Sequence, residues 1–150
     1  MKHSLSYSFI ASFIATLVLS MIMVMKKTMG LMPEMNPIAD IVTIMQQVSG
    51  LSILPIFAWV LHFFIGTFAW GILFFLFYGV LPGGKIIKGI LFGLGAWMLM
   101  MLTVEPLAGH GFFGLQTSPV IPMMSMMLHI VFGATLGIIY GKLAKSSTAM

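Results

Sequence analysis

Three kinds of side chain in this sequence could do chemistry: imidazoles, thioethers and carboxylates. His62 and His129 come first, because each lies inside a long apolar segment. Their surroundings also match, Leu61-His62-Phe63-Phe64-Ile65-Gly66 against Leu128-His129-Ile130-Val131-Phe132-Gly133. An ionisable side chain in hydrocarbon is costly and rare, so an intramembrane histidine is a functional-site hypothesis. Neutral imidazole binds haem iron, copper or zinc, and two histidines on facing helices are one way to hold haem b. The sequence has no arginine to meet haem propionates and no further haem motif. The competing reading is structural, each ring hydrogen-bonding Ser125, Thr67 or a backbone carbonyl for roughly 0.6 kcal/mol.

Thioethers are the second kind. There are 16 methionines, concentrated near what read as outer helix ends: Met21, Met23 and Met25; Met98, Met100 and Met101; Met123, Met124, Met126 and Met127. Thioethers suit Cu(I), so His62, His129, His110 and Met101 form a candidate copper set. Against it, methionine is a flexible apolar filler, and adjacent methionines point in different directions around a helix. The carboxylates are Glu34, Asp40 and Glu105. Glu34 and Asp40 read as solvated interfacial charges. Glu105 stands beside Pro106 where it could overhang the mouth of a bundle, and with Ser125 and His110 it is a further candidate polar site. None of the three carboxylates falls inside an apolar span, which argues against a proton-coupled multidrug pump working through an intrahelical acid.

The elements that must carry these groups are membrane helices. The chain has 150 residues, 60% hydrophobic and 7% charged, whereas a soluble domain carries about a quarter charged residues. Residues 1–150 read as a single four-pass domain. Four stretches can cross about 30 Å of hydrocarbon: residues 6–25, 53–80, 86–104 and 121–143. The first follows Lys2 as a signal peptide would. It is longer than such a segment, lacks a small-residue cleavage site and ends at Lys26-Lys27, so it is expected to be a retained helix. The absence of cysteine excludes disulfides and thiol redox chemistry, including four-pass quinone-linked thiol oxidoreductases. The net charge of +4 comes from lysines at segment ends, not from a basic stripe, which excludes nucleic acid as a partner.

Lysine placement predicts orientation. Lys2, Lys85, Lys88, Lys142 and Lys145 fall on one side, and only Lys26 and Lys27 on the other. The positive-inside rule then puts both termini in the cytoplasm, with Tyr7, Tyr78 and Tyr140 as an aromatic belt at that boundary. In the first outer loop, Asn36-Pro37 reads as an N-cap and first helical residue, and Ser49-Gly50 as a stop. Ile38, Ile41, Val42, Met45 and Val48 recur at helical spacing between them, with Asp40, Thr43, Gln46 and Gln47 facing elsewhere. The segment 37–48 is therefore expected to be a short amphipathic helix lying in the interface. The second outer loop, Glu105 to Pro119, is glycine-rich, and Leu81-Pro82-Gly83-Gly84 is a tight turn.

Each span also carries small or weakly polar residues four apart: Ser8, Ser12, Thr16 and Ser20; Ala58, His62 and Gly66; Gly89 and Gly93, then Trp97 and Met101; Ser125, His129, Gly133, Gly137 and Gly141. Close packing across small residues holds membrane helices together, so these stripes should face inward and take the histidines with them. The repeated Leu-His-x-x-x-Gly word also suggests a duplicated hairpin.

Several phrases occur together in order: Ala15-Thr16-Leu17-Val18-Leu19-Ser20, Met29-Gly30-Leu31-Met32-Pro33-Glu34, His62 through Thr67 with Trp70-Gly71, Lys88 through Gly93, Ala96 through Met101, Pro106 through Gly114, and Leu128-His129 through Tyr140-Gly141. With these the chain resembles a family of small bacterial four-pass membrane proteins grouped as a domain of unknown function. The resemblance implies the fold and a bacterial inner-membrane location, and it supplies no activity. The expected protein is all-α, a four-helix transmembrane bundle with an interfacial helix. Its expected role is a non-enzymatic accessory or interaction protein, meeting lipid and either copies of itself or other membrane subunits. The alternative is a haem- or copper-binding protein for electron transfer or metal handling through His62 and His129.

Overall fold

The computed structural model describes residues 4–32 and 34–146. Every regular element among them is helical. Four helices are long and apolar enough to cross a membrane: α1 (Leu5–Thr28), α3 (Pro55–Phe77), α4 (Lys85–Leu107) and α5 (Ile121–Ser146). The short α2 (Pro37–Ser49) lies between α1 and α3. Local chemistry sets its ends. The Asn36 side chain accepts a hydrogen bond from the Ala39 N–H, Pro37 opens the first turn, and Gly50 closes the helix at φ 71°. Only a residue tolerant of the left-handed region serves well at that last position.

The spans differ from the sequence boundaries at their ends. Pro55 begins α3 two residues later than expected, as proline favours a first helical position. At its other end α4 runs through Pro106 to Leu107, carrying Glu105 inside the helix and not just beyond it. Within α3 the hydrogen-bond ladder widens to a π-helical turn at Ile65–Ala69, three residues after His62. Such turns are often found at functional sites.

The helices pack in the order α3, α1, α5, α4. Although the 81–84 turn joins α3 to α4, these two meet only sparingly. A duplicated hairpin would relate that pair to α1 and α5, which lie along each other, so the packing does not repeat as the sequence word suggested.

Glycine makes the α4–α5 contact close. A Cβ built on Gly89 would strike the Gly133 carbonyl, and one on Gly133 the Gly89 carbonyl. A Cβ on Gly93 would strike the His129 carbonyl, one on Gly137 the Lys85 carbonyl, and one on Gly141 would stand 2.5 Å from the Lys85 side chain. On α1 the residues Ser8, Ser12, Thr16 and Ser20 are all buried, and Gly66 of α3 is seated on Thr16.

The two ends of the bundle differ. At one, Lys85 donates to the Gly141 carbonyl at 2.9 Å, and Lys88 donates to the Tyr78 carbonyl and stands over its ring. Tyr78 and Tyr140 are not belt residues. Their side chains turn into the core, with ring centroids 4.6 Å apart, and pack with Phe74 and Phe92. The two apolar rings gain more by filling the gap between α3 and α5 than by lying at a surface. Lys2, counted above with this end, lies outside the described residues. At the opposite end, Lys26 donates to the carbonyls of Met32 and Met35, tying the α1–α2 connection down. There α2 packs Ile38, Ile41 and Val42 onto Met23, Ala58 and Trp59.

Candidate functional site

Beneath α2 the bundle holds a cavity of ≈ 210 Å³ between α1, α3, α4 and α5. His62 and His129 both line it, as do Met23, Met35 and Met100. Pro37 and Ile41 of α2 form part of its wall.

Each histidine is held by one ring nitrogen. His129 Nδ1 lies 2.8 Å from the Ser125 carbonyl, one turn earlier on the same helix. A carbonyl can only accept, so the proton sits on Nδ1 and Nε2 keeps the lone pair. That is the arrangement by which metal-binding histidines are oriented. His62 Nε2 lies 3.2 Å from Ser20 Oγ on α1, and its Nδ1 has no hydrogen-bond partner among the described residues. The π-helical turn that follows His62 contributes Ile65 and Gly66 to the same cavity.

Ser125 is buried and donates to the Ile121 carbonyl, while Trp97 Nε1 reaches Ser125 Oγ and the Pro122 carbonyl at 3.1 Å each. It therefore joins α4 to α5 and holds the start of α5. Met101, the thioether chosen from sequence, is fully buried against Ser125 and does not line the cavity. Its neighbour Met100 does, because consecutive helical residues diverge by about 100°.

His110 is not brought to the other two histidines. It belongs to a second constellation at the α2 end of the bundle. His110 Nδ1 lies 3.0 Å from Glu105 Oε2, and its Nε2 lies 3.8 Å from Asp40 Oδ1. One ligand atom from each of the three residues lies within 4.8 Å of the others. Glu105 is buried, with its side chain 8% exposed, and those of Asp40 and His110 are 14% and 21% exposed. The 109–114 loop makes this possible. Gly109, Gly111 and Gly114 all have positive φ, and the chain folds back until a Cβ on Gly114 would stand 3.0 Å from Glu105 Oε2.

Asp40 is thus not the solvated charge expected from sequence, whereas Glu34 is exposed. Burial pushes the Asp40 carboxyl up from 3.8 to about 6; His110 pulls against that, Glu105 adds to it and Lys26 opposes it. Nothing local pointed to Glu105 or His110 as its neighbours.

Chemically the two places differ. The cavity offers imidazoles and thioethers in apolar surroundings, a donor set for soft ions. The α2 end offers carboxylates and imidazole near water. The cavity is smaller than the roughly 300–1,000 Å³ usual for organic ligands and cofactors.

Comparison with curated proteins and with solved structures gives no match. The family described as "Family of unknown function (DUF6789)" matches residues 2–150, and this chain belongs to it.

Proposed function

We propose that this protein is a non-enzymatic accessory protein of a membrane that holds Cu(I) in the chamber between His62 and His129. The observation that carries the reading is that His62 and His129 line one cavity together with Met23, Met35 and Met100. Imidazole with thioether is a donor set that favours Cu(I) over harder cations. The Ser125 carbonyl fixes one ring with its Nε2 lone pair available. Thr16 and Ser125 are the other polar residues of α1 and α5 around the chamber. They serve packing better than catalysis, because among the described residues neither hydroxyl is hydrogen-bonded to an imidazole or a carboxylate that would activate it. The protein works alone, with copies of itself, or beside larger membrane subunits. We place it in a bacterial inner membrane with the Lys85 and Lys88 end in the cytoplasm, since lysines are biased to that side.

Metal analysis and an absorption scan of the detergent-purified protein test this. Stoichiometric copper under reducing conditions, without a Soret band, is expected. His62→Gln and His129→Gln should each lose it, while Met101→Leu retains it. A Soret band, or copper binding by both histidine variants equal to that of the wild type, overturns the copper reading.

A further inference from the structure

The constellation at the α2 end has a geometry that its hydrogen bonds do not explain. The Glu105–His110 contact at 3.0 Å is a hydrogen bond. At 3.8 Å, Asp40 Oδ1 and His110 Nε2 are too far apart for one. Two half-buried ligand atoms therefore face each other across a gap. Zinc bonds to nitrogen and carboxylate oxygen are about 2.0–2.2 Å long, so an ion between the two atoms reaches both with little movement.

The Glu105 carboxylate completes the set from behind. Metal-binding histidines commonly give their second ring N–H to a carboxylate, which fixes the ring and raises its basicity. Here His110 Nδ1 meets Glu105 Oε2, and Glu105 is held under the Gly114 turn. Its burial distinguishes this set from acidic groups gathered at a surface. The residues also come from separate parts of the chain. Asp40 is on α2, Glu105 on the last turns of α4, and His110 on the loop that follows.

We propose that Asp40 and His110 form a binding site for a divalent transition-metal ion of the zinc class, with Glu105 orienting the His110 ring. These two ligands leave the other positions of a tetrahedral ion to water. The ion draws α2 towards the α4 end. Because Pro37 and Ile41 of α2 wall the chamber, binding there fastens its cover. This site differs from the chamber in donor chemistry and does not depend on copper in the chamber.

The test uses the full chain in detergent, freed of metal with a chelator and titrated with Zn²⁺ by calorimetry. Hydrogen exchange of α2 is followed in parallel. Zn²⁺ is expected to bind and to slow exchange across Pro37–Ser49. Asp40→Asn and His110→Gln should each lower affinity at least about tenfold, and Glu105→Gln by roughly 10–100-fold, the usual effect of removing an orienting carboxylate. His62→Gln and His129→Gln should keep the Zn²⁺-dependent slowing of exchange across Pro37–Ser49. His110→Gln lies on a loop, so its reading survives if Asp40→Asn impairs folding. Failure of the wild type to bind Zn²⁺, or unchanged affinity in both Asp40→Asn and His110→Gln, overturns the proposal. Zn²⁺ binding lost only in the His62 and His129 variants overturns it too, while leaving a metal-binding chamber standing. Loss of copper with Zn²⁺ binding intact would sink the chamber reading alone.

Discussion

Gly89 and Gly133 share one point of contact between α4 and α5, each backbone carbonyl filling the space that a Cβ on the other would need. Helices can approach this closely only where side chains are absent, and membrane helices gain most of their association from such packing. Gly137 extends the contact one turn further: a Cβ there would strike the carbonyl of Lys85 and stand 3.1 Å from Ile86 Cα. Gly137→Leu should therefore force the helices apart and cost at least about 1–3 kcal/mol, as overpacking does. Ile138 is 38% exposed, and Ile138→Leu should be tolerated. Thermal unfolding in detergent decides, and equal midpoints for the two variants would contradict the shared contact.

The turn over Glu105 gives a second contrast. Gly114 has φ 68°, and a Cβ there would stand 2.7 Å from Ile121 Cγ2 and 3.0 Å from Glu105 Oε2. Gly109 has φ 87° with open space around it. Gly109→Ala should cost only the backbone strain of a left-handed residue, about 1–2 kcal/mol. Gly114→Ala should cost more and displace the loop that carries His110. Comparing the two melting curves, with Zn²⁺ affinity as a second readout, tests the distinction. Similar effects from both would mean that the loop is not seated on Glu105.

Asp40 predicts how α2 responds to pH. Its carboxyl titrates at about 6 in the folded protein against an ordinary 3.8. Between those values the folded state binds more protons than the unfolded one, so stability falls as pH rises. The contribution is fully present below about pH 4 and is lost as pH rises through 6. His110, Glu105 and Lys26 are the charged or titratable groups that act on it from the 109–114 loop, α4 and α1. In chelator, hydrogen-exchange protection of α2, corrected for the intrinsic pH effect, should decline from pH 4 to 7. Asp40→Asn should flatten that decline. A wild-type profile already flat would contradict the burial of this carboxyl.

Lys85 and Gly109 lie at the two ends of α4. Reporter fusions made after each should give opposite signals, cytoplasmic after Lys85 and external after Gly109. The lysine bias alone now carries this orientation, since Tyr78 and Tyr140 are turned into the core. A cytoplasmic signal from the Gly109 fusion would reverse the topology.

Hydropathy and helical spacing in the sequence determine each helix by itself. Runs long enough for the bilayer mark the four spans, and Asn36-Pro37 with Gly50 brackets α2, because these are local properties of consecutive residues. The inward stripes were legible for the same reason: Ser8, Ser12, Thr16 and Ser20 repeat at a helical period and are buried together. What a span meets is not local. Leu-His-x-x-x-Gly reads alike in α3 and α5, yet α5 lies along both α1 and α4, while α3 lies against α1. Which of Met100 and Met101 reaches the chamber depends on the rotation of α4 against its neighbours, which the Gly89–Gly133 contact sets. Only the tertiary structure brought Asp40 to Glu105 and His110. That meeting requires α2 to dock on α1 and α3 while three glycines fold the 109–114 loop back over α4, and no spacing within either segment encodes the other's position.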